Sequence, residues 1–197
     1  ITSPFYPSSF AGIDPTKGLV SIGWRMVPGG QRENTSEATA TRFVADLSGT
    51  TGDWDYKTGV YYAESKVSDG PTNGYVNKSQ IQAGINSGLL NPFGANSADA
   101  LKYIDSTKAF GTFSAGKGTA TGVDARFNRE LFAMGGGNAA ISLGAEARRE
   151  GFSTDTNDEL VNNVPSAGRS PYHVSNASRN VMALSTEVLL PVSKQLE

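Results

Sequence analysis

Six segments of the chain alternate apolar and polar side chains with a period of two, the repeat of a β-strand whose successive residues point to opposite faces. In 19–27 (LVSIGWRMV), Val20, Ile22, Trp24 and Met26 share one face and Ser21, Gly23 and Arg25 the other. In 37–48, Phe43, Ala45 and Leu47 oppose Arg42, Val44 and Asp46. In 54–66, Trp54, Tyr56, Thr58, Val60 and Tyr62 oppose Asp55, Lys57, Gly59, Tyr61 and Ala63. The segment 119–132 sets Val123, Ala125, Phe127 and Leu131 against Gly122, Asp124, Arg126, Asn128 and Glu130. In 139–150, Ile141, Leu143, Ala145 and Ala147 oppose Ser142, Gly144, Glu146 and Arg148. Finally, 179–190 carries Met182, Leu184, Val188 and Leu190 opposite Ala183, Ser185 and Glu187. The repetition predicts a mainly β protein, an antiparallel up-and-down meander of about six strands.

The connections fall into two kinds. SGTTGD and AMGGGN are short and Gly-rich, and PVSKQ after the last strand is also turn-like. PGGQRENTS, the insert 67–117 and the connection from Gly151 to Ser178 are long. Alternate connections of a meander lie at the same end of the sheet, so short turns collect at one end and long loops at the other. Within the insert, Ile81, Ile85 and Leu89 recur every four residues, and Ser97 is placed to cap a segment containing Leu101 and Ile104, with NPFG as a turn between. Two short helices are expected there. The connection containing TDTNDE and NNVPSAGRSP has no periodicity and reads as a mobile loop.

A soluble core and a lipid bilayer would both accept the apolar row. The opposite row carries Arg42, Asp46, Lys57, Asp124, Arg126, Glu130, Glu146 and Arg148, which suits the polar lumen of a wide barrel and equally the wet face of an ordinary sheet. Trp24, Trp54, Tyr56, Tyr62 and Phe132 stand near strand ends, where aromatic rings form the interfacial girdles of membrane barrels; simple cross-strand packing is the alternative. Composition narrows the choice only partly. With 23 Gly the chain has material for many turns, and with no Cys it has neither disulfides nor thiolate metal sites. Seventeen Lys and Arg balance 19 Asp and Glu, so no nucleic-acid partner is indicated. The opening ITSPFYPSSF lacks a basic start followed by an apolar run, so no signal peptide is expected in it. No apolar run approaches the ~20 residues of a membrane helix, but barrel strands need only about 9–11 alternating residues.

Catalytic and metal chemistry finds little support. GTFSAGKG, 111–118, matches most of the phosphate-loop pattern, yet Gly118 occupies the Ser/Thr position that would hold magnesium and no buried strand precedes it. DTNDEL, 155–160, lacks the turn Gly of a calcium loop, which Leu160 replaces. His173 is the single His, which leaves no multi-His metal site and a poor basis for a triad. Asp53 and Asp55 flank a turn and read as solvated charge. Neither an enzyme nor a cofactor is expected.

The order and wording of several strings carry more than their rhythm. SIGWRMVPGGQRENTSEATATRFVADLSGTTGDWDYKTGVYYAESKV resembles the barrel of TonB-dependent outer-membrane receptors, including its T-R-x-V and G-x-W-D-Y patterns. GYVNKSQIQAGINSGLLNPFG is similar to a helical outer-loop insert of the same receptors. ISLGAEARREGF with SRNVMALSTEVLLPVSKQLE resembles a later strand pair and the turn beyond it. The resemblance runs from about Pro4 to the end. It implies a middle portion of a transmembrane β-barrel in a bacterial outer membrane. The plug domain, and the partner TonB reached through other parts of the parent protein, are not in this chain. It also implies lipid contact, active uptake of a siderophore, cobalamin or oligosaccharide, and capture of that ligand by outer-loop aromatics, for which Tyr75, Phe93, Tyr103, Phe110 and Phe113 are the candidates. Unpaired edge strands would favour self-association of the fragment. A soluble all-β ligand-binding module and a passive porin or adhesin barrel are the rival expectations.

Overall fold

The computed structural model describes residues 3–13, 16 and 18–193. It contains one five-stranded antiparallel sheet in sequence order β1-β2-β3-β4-β5. The strands are β1 (Glu33–Thr51), β2 (Trp54–Asn73), β3 (Ser114–Met134), β4 (Gly137–Thr156) and β5 (Val174–Leu189). The expected up-and-down meander is therefore present. Among the described residues β1 and β5 are not paired with each other, and the sheet is open.

The first expected strand is the exception. Residues 19–26 form no ladder and lead into a 3-10 turn at Val27–Gly29. Trp24 and Met26 do share a face, but they pack against a helical cluster built from Ile81, Leu90, Ala100 and Ile104. One-sided burial against helices satisfies the same alternation that a sheet would, and Pro28 lacks the N–H a ladder needs.

The other strands begin or end several residues beyond the alternating segments. β2 continues to Asn73 and β3 starts at Ser114, so the insert narrows from 67–117 to 74–113. The short turns have the chemistry their length demands. Gly52 has φ +58°, a left-handed conformation that glycine adopts without steric cost. The β4–β5 ladder pairs Ile141 with Val188, Ala145 with Leu184 and Ala147 with Met182, and shifts register between Phe152 and Thr154. Past β5, Pro191 accepts a backbone hydrogen bond from Gly136 at 3.1 Å; of the PVSKQ turn, residues 194 and 195 lie outside the described residues.

Both expected helices are present, α1 (Lys78–Asn86) and α2 (Ala98–Ser106). Asn77 caps α1 by accepting from the amides of Ser79 and Gln80, and Ser97 caps α2 by accepting from Ala100. The connection read as a mobile loop instead holds α3 (Asp158–Asn163) and a 3-10 turn at Pro165–Ala167. Its driving force is the burial of Val161 and Val164, and Asn157 caps it.

The chain divides into two compact units. Unit 1 comprises 1–37, 68–115 and 155–172; unit 2 comprises 38–67, 116–154 and 173–197. Unit 1 holds all three helices and two apolar clusters. Ile81, Leu90, Ala100 and Ile104 form one; Ala109, Phe113, Val161 and Val164 form the other, with Tyr75 and Leu160 against it. Unit 2 is sheet, and among its described residues the buried apolar side chains reduce to Ala139.

Candidate functional site

In unit 2 the two faces of the sheet differ in chemistry. One face is apolar and open. Phe43 and Leu47 in β1, Val60 in β2, Val123 in β3, and Met182, Leu184 and Val188 in β5 are each more than half exposed, Leu184 reaching 88%. Register partners in a ladder share a face, so Ile141, Leu143, Ala145 and Ala147 join this row through Val188, Thr186, Leu184 and Met182. The row thus crosses all five strands without a covering layer. Packing of Tyr56 over Gly49, its hydroxyl closest, ties β1 and β2 on this face.

Polar groups close the row at both ends. Beyond Tyr62, Glu64 receives the Tyr62 hydroxyl at 2.9 Å and pairs with Lys66 at 2.6 Å and Lys117 at 2.7 Å. Arg149 and its register partner Asn180 end the row on β4 and β5. At the turn end, Arg129 pairs with Asp53 at 2.7 Å and lies over the Trp54 ring, 5.8 Å from its centroid. Of the five aromatics expected near strand ends, Trp54, Tyr56 and Tyr62 stand on the apolar face. Two members of that set do not. Trp24 stands in unit 1 against the helical cluster. Phe132 alternates with Glu130, Asn128 and Arg126, which puts it on the charged face.

The opposite face is polar. At Gly59, Asp46 of β1 and Asp124 of β3 converge on the space a side chain would fill. At Gly122 the Tyr61 ring takes that space, and Arg42 lies over the same ring at 5.8 Å. Glu130 accepts from Asn138 at 2.7 Å. Arg148 bridges Glu146 at 2.7 Å and Glu150 at 2.8 Å, and Arg179 joins Glu150 at 2.5 Å. Lys57 and Arg126 follow the same alternation. All eight expected charged-face residues stand on one face.

The five expected ligand-stacking aromatics all lie in unit 1, divided between its two clusters and the exposed surface. Phe113 is 1% exposed and belongs to the core, where Tyr75 meets it edge-on at 5.8 Å. That removes Phe113 from the ligand-contacting set: it is buried with Val161 and Val164, which come from the connection expected to be a mobile loop. Tyr103 packs against the other cluster and donates its hydroxyl to the Gln80 carbonyl at 2.9 Å. Phe93 and Phe110 are exposed. Asp69 accepts from Ser114 at 2.5 Å and from Asn34 at 3.4 Å, and pairs with Arg169, whose guanidinium also lies over Phe113 at 5.6 Å. Gly74, with φ +71°, sits where a Cβ would meet the backbone of Gln31.

Unit 1 also holds a cavity of about 430 Å³ that the sequence did not signal. Trp24, Met26, Ile81 and Ile85 supply its apolar wall, and Arg32 and Lys78 contribute cationic side chains. Its first wall comes from the segment read as a strand.

The 111–118 string forms no phosphate cradle: Ser114 to Gly118 run in β3, and Lys117 is engaged by Glu64. Asp53 and Asp55 are held apart in function, the first by Arg129 and the second accepting from Thr50 at 3.0 Å. Among the described residues no helix is long and apolar enough to cross a membrane, and no group of three or more His, Cys, Asp or Glu is placed to hold a metal ion. No family model matches the chain, and no curated protein matches it.

Proposed function

We propose that the chain is a segment of the barrel wall of an outer-membrane receptor of the TonB-dependent type, a protein for active uptake of a bulky nutrient such as a siderophore, cobalamin or oligosaccharide. The observation that carries the reading is the uncovered apolar row of unit 2, backed by a face of charged networks. A soluble sheet buries such a row under a second layer; a barrel wall presents it to lipid and keeps the charges in its lumen. The row also has a fitting height. Lys117 and Arg129 on β3 are twelve residues apart, about 40 Å along a strand, and a tilt of about 40° projects this to about 30 Å, room for the ~25 Å apolar band of a barrel. Short turns alternating with long connections follow the periplasmic and outer ends of such barrels. The receptor type itself rests on the sequence resemblance.

The absence of Cys makes the test direct. Spin labels on Leu184→Cys and on Ala183→Cys, adjacent residues on opposite faces, are compared in lipid vesicles for relaxation by oxygen and by a water-soluble nickel chelate. The reading expects oxygen to dominate at 184 and nickel at 183. Equal access by nickel at both positions would refute the membrane assignment.

A further inference from the structure

We infer that the unit 1 cavity binds a small amphipathic anion, a carboxylate or comparable acid carried on an apolar or aromatic body. As a statement of ligand class, this rests on the receptor reading; as a statement of binding, it rests on the cavity alone. The cavity's volume of about 430 Å³ falls within the ~300–1,000 Å³ of small-molecule sites, which combine apolar walls with few polar groups. Its apolar wall is firmly backed: Trp24, Met26, Ile81 and Ile85 all belong to or pack on the helical cluster that includes the fully buried Leu90 and Ile104. The wall is thus preorganised rather than assembled by the ligand.

Charge selects the occupant. Arg32 and Lys78 line the cavity, and among the described residues no carboxylate does. Arg32 is held at one side by the Tyr75 ring, 5.7 Å from its centroid, which orients the guanidinium without neutralising it. A neutral apolar ligand would leave both cations, which are solvent-exposed, without a partner. A hydrophilic anion such as free phosphate would waste the indole and the aliphatic surface. An anion with a ring or short alkyl body satisfies both halves through charge-assisted hydrogen bonds and burial.

The chain has two Trp, so Trp54→Phe leaves Trp24 as the sole indole and as a reporter inside the cavity wall. The detergent-solubilised full chain is titrated with 4-nitrobenzoate and, separately, with the uncharged 4-nitrobenzamide, both non-fluorescent quenchers. The expected result is saturable quenching of Trp24 by the benzoate and at least tenfold weaker binding of the amide. Arg32→Gln with Lys78→Gln should erase that preference, while Arg32→Lys with Lys78→Arg keeps it. Quenching that rises linearly without saturation, equal affinity for both probes, or a preference that survives removal of both cations would overturn the inference. The spin-label comparison fails or succeeds independently, so loss of the receptor reading and loss of the anion site are distinguishable.

Discussion

Phe113 and Phe110 stand three residues apart with opposite roles. Side-chain type made them equivalent as ligand-stacking candidates; burial separates them, 1% exposed against 61%. Truncating a buried Phe removes its transfer free energy and leaves a cavity, so Phe113→Ala should destabilise unit 1 by about 3–5 kcal/mol. Phe110→Ala should stay within about 0.5 kcal/mol. Urea midpoints read from Trp24 fluorescence in the Trp54→Phe background check both, and similar midpoints for the two variants would place Phe113 outside the core. Trp24 carries the complementary lesson. Its neighbours in sequence predicted a strand end, whereas in space it packs against the helical cluster of Ile81, Leu90, Ala100 and Ile104. Alternation reports that one side is buried, not against what.

Among the elements, the four later alternating segments and the one at 37–48 were legible because a single face carries the apolar row over many residues. Their true lengths were not: Thr35 and Ser36 in β1, or Ser68 and Asp69 in β2, are polar on both sides, and only the ladder extends the strand through them. α3 escaped because six residues offer little more than one turn and a half of pattern, with Val161 as the only buried residue inside it. Its capping Asn157 was the available signal. The apolar row itself gives a sharp expectation. Leu184 is already 88% exposed, so in a water-exposed sheet Leu184→Arg would cost almost nothing. On the lipid face of a barrel an Arg near mid-depth costs about 2–4 kcal/mol, and Ala183→Arg on the charged face far less. Folding into lipid vesicles, followed against urea, distinguishes the two; equal stability of both variants would remove lipid from the account.

At the scale of the whole molecule, unit 1 contains two apolar clusters that close without any solvent but water, and unit 2 contains an apolar row with no cluster behind it. Light scattering of the chain should therefore report concentration-dependent association in water and a discrete species in detergent. A stable monomer in water would mean the row is tolerated exposed, contrary to the lipid reading. Asp69 has a further consequence for how such a chain changes over generations. Its carboxylate, near the end of β2, gathers Asn34 from the start of β1, Ser114 from the start of β3 and Arg169 from the α3 connection, and the Asn157 amide donates to the Phe113 carbonyl at 2.9 Å. Strand ends and connections are tied to one another through shared partners, so a connection transplanted alone would arrive with broken bonds. Diversification of this region is expected to proceed by exchange of the connections as a set, and single-loop grafts are expected to fail for reasons unrelated to whatever they bind.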